Sequence, residues 1–187
     1  GVGGHQVFRA ETPGPMKDDR LTPRVASTAK ALYAVYFGMS MVCLLAYRAV
    51  GLSWFEAWAH MSTTMGLGGF STYDAGFAQF DSFAVEMVAM VFMLLAGINF
   101  ATHFNVLRQR SLRPYQRCPE AIPYLLVVLA GALVVSGYLY WRGVYGEPLQ
   151  ALRYGVFNTI SVATTTGYAN TDYAQWPLFA PLLMLLA

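Results

Sequence analysis

Trp54–Met65 runs into Gly66-Leu67-Gly68-Gly69-Phe70-Ser71-Thr72, and Pro148–Ala163 runs into Thr164-Thr165-Thr166-Gly167-Tyr168-Ala169-Asn170. Each stretch reads as a short apolar half-helix breaking into a polar glycine turn. Each follows a charge-free run long enough to cross a bilayer, and each precedes another apolar run. Span, half-helix, glycine turn, span is the order of a pore hairpin, and it occurs twice. Backbone without regular hydrogen bonding is tolerated at membrane depth only where it is buried in protein or lines a watery cavity. The predicted fold class is therefore all-α: a polytopic membrane protein built of repeated helix, re-entrant half-helix and helix units.

Composition agrees, with 56% hydrophobic residues and only 12% charged. Residues Ala31–Tyr47 and Ala121–Trp141 carry no Asp, Glu, Lys, Arg or His, and Phe83–Leu107 carries one carboxylate, Glu86. Roughly 20 apolar residues at about 1.5 Å each match a hydrocarbon core of about 30 Å, which predicts three complete spans. A fourth begins at Trp176 and stops at Ala187, so the sequence reads as a fragment of a longer protein. Trp54–Met65, about 18 Å long at the helical rise, reaches the middle of a membrane and cannot cross it. Ser53 and Glu56 predict a capping box at its start.

Arg9, Lys17, Arg20, Arg24 and Lys30 precede the first span, and Arg108, Arg110, Arg113 and Arg117 lie between the second and third. The segments with the glycine turns carry only Arg48, Arg142 and Arg153. Basic loops stay cytoplasmic, so both turns enter from outside. A net charge of +2 gives nucleic-acid binding no electrostatic support. Cys43 reads as an apolar core residue and Cys118 as a surface thiol of a cytoplasmic loop, with no disulfide on the reducing side.

The chain divides into a connector (residues 1–30, turning at Pro13-Gly14-Pro15, with Thr22-Pro23 opening the first helix), a complete pore repeat (31–117) and a second repeat cut short in its last helix (118–187). Superposing Gly69 on Gly167, an offset of 98, also places Phe70 on Tyr168, Asp74 on Asp172 and Phe80 on Leu178. Two parallel units cannot close a four-fold ring, so further repeats are implied.

A cation crossing a bilayer exchanges its water shell for other oxygens, and potassium filters supply backbone carbonyls. Aligning consecutive carbonyls needs dihedrals that residues with a Cβ tolerate poorly, and glycine relieves this. The candidate donors are Leu67, Gly68, Gly69 and Phe70 in one repeat and Thr165, Thr166, Gly167 and Tyr168 in the other. Helix C-termini, each with about half a negative charge, point at the turns from the half-helices, which favours a cation. Asp74 and Asp172 are candidate outer-mouth carboxylates, or loop residues capping the next segment. Glu86 faces a vestibule or is an interfacial or paired carboxylate. Asn99 and His103, four apart, share a helical face as functional candidates or helix–helix hydrogen-bonding groups. His60 reads as a packing residue, and Tyr138, Tyr140 and Trp141 as an interfacial aromatic belt.

Residues 1–15 (Gly-Val-Gly-Gly-His-Gln-Val-Phe-Arg-Ala-Glu-Thr-Pro-Gly-Pro), the Gly68–Asp74 turn and Ala163–Tyr168 resemble the Trk-type potassium-uptake membrane subunits of the Trk/Ktr/HKT superfamily. That resemblance covers essentially the whole chain. It implies four span–pore–span repeats in one polypeptide around a central pore, with Gly69 and Gly167 as the filter glycines of repeats two and three. It also implies a homodimer in the inner membrane and a cytosolic nucleotide-binding regulatory subunit at the basic cytoplasmic face. A gating loop would lie beyond Ala187. Asn170 and Tyr73 depart from the family pattern.

The function expected is potassium uptake, the potassium ion being cargo, with membrane lipid as surroundings, no organic cofactor and no covalent chemistry. Alternatives are a sodium-permeant member of the superfamily and a non-conducting structural subunit. An intramembrane enzyme is disfavoured: no GxSG, HExxH or paired intramembrane aspartates occur.

Overall fold

The computed structural model describes residues 25–186. The connector's proline turn and the Thr22-Pro23 helix start lie outside the described residues. Helices numbered from the first described one are α1 (Val25–Ala49), α2 (Trp54–Met65), α3 (Phe83–Ala96), α4 (Phe100–Gln109), α5 (Arg113–Arg117), α6 (Ala121–Trp141), α7 (Pro148–Ala163) and α8 (Phe179–Leu186), with single 3-10 turns at Gly76–Gln79 and Tyr173–Gln175. No strand occurs among the described residues.

Among the described residues two helices are long and apolar enough to cross a membrane, within α1 and over α6, or three if α3 and α4 together count as one span. Only 17% of the most apolar window of α1 and 28% of that of α6 is buried. So much open apolar surface is stable against lipid or further protein rather than water.

The expectation of an unbroken helix over Phe83–Leu107 is corrected. Helix α3 stops at Ala96 with Gly97 as its cap, and Asn99 caps α4 by accepting from the Ala101 N–H at 2.9 Å. A Cβ on Gly97 would lie 2.2 Å from the Tyr124 hydroxyl, so the absence of a side chain lets that ring sit directly against the end of α3. An Asn side chain offers the backbone an alternative to continuing a helix. Asn99 is thus a cap and does not share a helical face with His103.

The chain forms two compact units. In the one holding the described residues up to Met39 and Ile98–Pro123, α4 packs on α5 and His103 Nδ1 meets the Tyr115 hydroxyl at 2.7 Å. Arg108, Arg110, Arg113 and Arg117 are exposed there. Cys118, expected at the surface, is buried; it follows α5 directly as its C-cap, where its N–H bonds the Pro114 carbonyl at 3.0 Å and holds it against the unit.

The second unit, Ser40–Gly97 with the chain from Tyr124 onward, holds both half-helices. Here α3 packs on α2 and α7, and α7 on α8. Val135, Leu139, Ala151, Trp176, Ala180 and Met184 form one buried apolar cluster joining α6, α7 and α8. Gly155 lets α7 approach α6: a Cβ there would lie 2.4 Å from Ser136 Oγ. The expected fourth span becomes helical at Phe179, after Trp176 has turned its indole N–H to the Tyr145 hydroxyl at 3.1 Å.

Candidate functional site

Ser53 and Glu56 form the capping box that starts α2: Glu56 N bonds Ser53 Oγ at 3.2 Å and Ser53 N bonds Glu56 Oε2 at 2.8 Å. Proline opens α7 at its first turn. The two half-helices end at Met65 and Ala163, 98 residues apart. Their starts do not keep that offset, because α7 begins at Pro148 rather than at Leu152.

The turns share their first three backbone bonds, and the second adds Gly167 N to Ser161 O at 3.2 Å. Gly66 N reaches Ser62 O at 3.0 Å and Thr164 N reaches Ile160 O at 2.9 Å; Leu67 N reaches Thr64 O at 3.2 Å and Thr165 N reaches Val162 O at 2.9 Å; Gly68 N reaches Thr63 O at 2.8 Å and Thr166 N reaches Ser161 O at 2.9 Å. Left-handed φ recurs at the same places, 51° at Leu67 and 60° at Thr165, then 65° at Gly69 and 86° at Gly167. Left-handed residues at alternate positions send successive N–H groups to one side of a chain. Because a trans peptide is planar, its carbonyl then faces the other side.

The N–H groups of both turns point back at half-helix carbonyls, so the Leu67, Thr165 and Thr166 carbonyls face away from the helices. Among the described residues no donor reaches the carbonyl of Leu67, Gly68, Gly69, Thr165, Thr166, Gly167 or Tyr168. Phe70 differs: its carbonyl accepts from Thr63 Oγ1 at 2.9 Å.

The turns also meet. A Cβ on Gly69 would lie 2.1 Å from Thr166 O and 3.0 Å from the Gly167 carbonyl carbon, so the two chains touch backbone to backbone. Beyond them, Phe77 N bonds Ala169 O at 3.1 Å. Tyr168 is 1% exposed, its ring centroid 4.3 Å from that of Phe77. Phe70, at the equivalent position, is 76% exposed.

A family model described as TrkH, cation transport protein, matches residues 1–131. The chain belongs to the TrkH family. It is 42% identical over 187 residues to the Trk system potassium uptake protein TrkH of Halomonas elongata, covering 100% of this chain and 39% of that protein. It is 39% identical over 185 residues to the protein of the same name from Escherichia coli K12, covering 99% and 38%. The crystal structure of the potassium transporter TrkH from Vibrio parahaemolyticus matches with a TM-score of 0.83 at 35% identity, over 89% of this chain and 36% of that one. The chain spans about two fifths of the length of the curated relatives it matches.

In this TrkH-family chain the two candidate carboxylates are both exposed. Asp172 caps the next segment, accepting from Ala174 N at 3.2 Å and Gln175 Nε2 at 2.8 Å. Glu86 is a paired carboxylate: 1% exposed, it takes Arg153 Nε and Nη2 on its two oxygens, each at 2.9 Å. Asp81, exposed, meets the same Nη2 at 2.9 Å. This clamp ties α7 to α3, and sequence reasoning used Arg153 only for orientation. The missed signal was an acid and a base each inside an apolar segment, where charges pair with one another.

His60 is fully buried between Glu56 O, 2.8 Å from Nδ1, and Ser71 Oγ, 3.0 Å from Nε2. A carbonyl only accepts, so Nδ1 carries the proton and Nε2 receives the Ser71 hydroxyl. His60 therefore props the far end of the first turn. Outside it, the Tyr73 hydroxyl donates to Glu56, which raises the phenol's pKa above its ordinary value.

Proposed function

We propose that this chain is part of the pore of a potassium-uptake protein, and that its two glycine turns supply carbonyl ligands to the ion. The observation that carries this reading is the set of seven carbonyls without donors, on two turns that repeat at a fixed offset and abut. Leu67, Gly68 and Gly69, with Thr165, Thr166, Gly167 and Tyr168, would offer those oxygens to a dehydrated monovalent cation; Phe70 would share its carbonyl with Thr63. Uncompensated carbonyls are costly in a low-dielectric setting, and a cation among them removes that cost. The C-terminal ends of α2 and α7 both run into the turns and add negative potential.

On this reading residues 31–117 are one complete pore repeat and 118–187 the start of the next. The protein is multi-pass in the inner membrane, with Arg108, Arg110, Arg113 and Arg117 on the cytoplasmic side. There a nucleotide-binding regulatory subunit would dock on a homodimer. Asp74 and Asp172 would concentrate cations at the outer mouth. Ion transport here involves no covalent chemistry.

The test is rubidium uptake by cells lacking their own potassium uptake, carrying the full-length polypeptide that contains this chain. The expected result is uptake lost or made unselective by Gly69→Ser and by Gly167→Ser. Uptake and selectivity unchanged in both would overturn the assignment.

A further inference from the structure

We infer that four hydroxyls form a directed hydrogen-bond relay, Tyr47 to Thr64 to Tyr168 to Thr63, which ends on the Phe70 carbonyl and holds the two turns in register. This makes Tyr168 and Thr63 positioning residues for ion selectivity, a role that rests on the filter reading above.

The direction follows from proton accounting. Thr63 Oγ1 lies 2.9 Å from Phe70 O, a group that can only accept, so Thr63 donates there. Its other acceptors, Ala59 O and His60 O, are both at 3.4 Å and weaker. With its one proton used, Thr63 accepts from the Tyr168 hydroxyl, its direct neighbour. Tyr168 in turn accepts from Thr64 Oγ1 at 3.0 Å, and Thr64 accepts from the Tyr47 hydroxyl at 2.8 Å. The longer approach of the Tyr168 hydroxyl to His60 O, 3.2 Å, makes its donation shared. Tyr47 thus gives a bond, Thr64, Tyr168 and Thr63 each take one and pass one on, and such chains strengthen cooperatively in low dielectric.

The relay connects parts of the pore that the chain order keeps apart. It starts on α1, passes through α2, crosses to the residue after Gly167, returns to α2 and ends on the residue after Gly69. Tyr47, Thr64 and Tyr168 are all essentially inaccessible. The phenol of one turn is therefore fastened to the half-helix of the other, and the same half-helix threonine fastens Phe70. Of the eight candidate carbonyls, Phe70's is the one turned to an internal donor. We assign it as the anchor that fixes the peptide following Gly69, leaving the other carbonyls to the ion. A shift of Tyr168 would move Gly167 and Phe70 together.

The experiment uses the full-length polypeptide in the same uptake-deficient cells, reading both rubidium uptake and its inhibition by sodium. Tyr168→Phe removes one hydroxyl and keeps the ring against Phe77. Thr63→Val removes another at nearly constant shape, whereas Thr63→Ser keeps it. The expected result is a loss of rubidium-over-sodium preference of up to about tenfold in Tyr168→Phe and Thr63→Val, the equivalent of one hydrogen bond. Thr63→Ser retains the preference, and the Tyr168→Phe/Thr63→Val double variant is little worse than either alone, as members of one relay require.

Wild-type preference in Tyr168→Phe and Thr63→Val, with uptake intact, overturns the relay. If Tyr168→Phe does not reach the membrane, the comparison of Thr63→Val with Thr63→Ser decides: equal preference in the two overturns it. Failure of the filter reading itself is distinguishable, because it would show as normal selectivity in Gly69→Ser and Gly167→Ser.

Discussion

Alanine at Gly69 and alanine at Gly167 are the same substitution at equivalent places in two repeats, yet they should differ sharply. Both positions are left-handed, at φ 65° and 86°, and a Cβ in that region costs roughly 1–2 kcal/mol. At Gly167 that is the whole cost this chain imposes, since nothing in it lies within 4 Å of the added atom. At Gly69 the new methyl would sit 2.1 Å from Thr166 O and 2.9 Å from its carbonyl carbon. Reaching ordinary contact at 3.4 Å means parting two backbones by about 1.3 Å, and no rotamer change can relieve a clash with backbone. Overpacking of this kind costs about 1–3 kcal/mol or more, so Gly69→Ala should be less stable than Gly167→Ala by about 2 kcal/mol, near thirtyfold in an equilibrium. Thermal melting of the purified full-length variants, followed by size-exclusion recovery, reads this difference. Melting of Gly69→Ala as high as that of the unsubstituted protein would refute the abutting of the turns.

Arg153→Met should cost about 3 kcal/mol, because it strands the buried Glu86 carboxylate, and Glu86→Leu less, because Arg153 keeps Asp81; the double variant should melt well above Arg153→Met. Gly155→Ala should destabilise by about 1–3 kcal/mol through contact with Ser136, whereas Gly137→Ala, with nothing within 4 Å of the added Cβ, should leave melting unchanged or slightly higher. Single cysteines at Arg110 and at Gly143 should react with an impermeant maleimide from opposite sides, Gly143→Cys in intact cells and Arg110→Cys only after the inner face is opened; labelling of both from outside would reverse the topology.

Much of this architecture is written locally. The half-helix limits, the Ser53–Glu56 box and the 98-residue offset depend on neighbouring residues and on glycine, and all three appear in the structure. The offset is kept at the turns, where backbone geometry is constrained, and lost at the start of α7, where proline at Pro148 sets a new beginning. The break after Ala96 was legible in kind, as a glycine followed two residues later by an asparagine. It was hidden by the unbroken apolar run, which carries no charge to mark an interruption. Cys118 misled because a basic loop reads as surface while its folding onto α5 is tertiary. The Tyr168 relay could not be read at all: Thr64 and Tyr168 lie 104 residues apart, and threonine and tyrosine in apolar helices are unremarkable until their hydroxyls meet. Glu86 and Arg153 stood between these cases, since the need for a partner was visible and its identity was not.

On the proposed function, peptide oxygens of both turns bind the transported ion directly. An anomalous difference map of the full-length polypeptide soaked in rubidium or thallium tests it most directly. Ion peaks are expected in contact with carbonyls of Leu67–Gly69 and Thr165–Tyr168, on the side facing away from α2 and α7. Peaks only elsewhere along the pore, with these oxygens bonded to protein or turned from the ion's path, would contradict it.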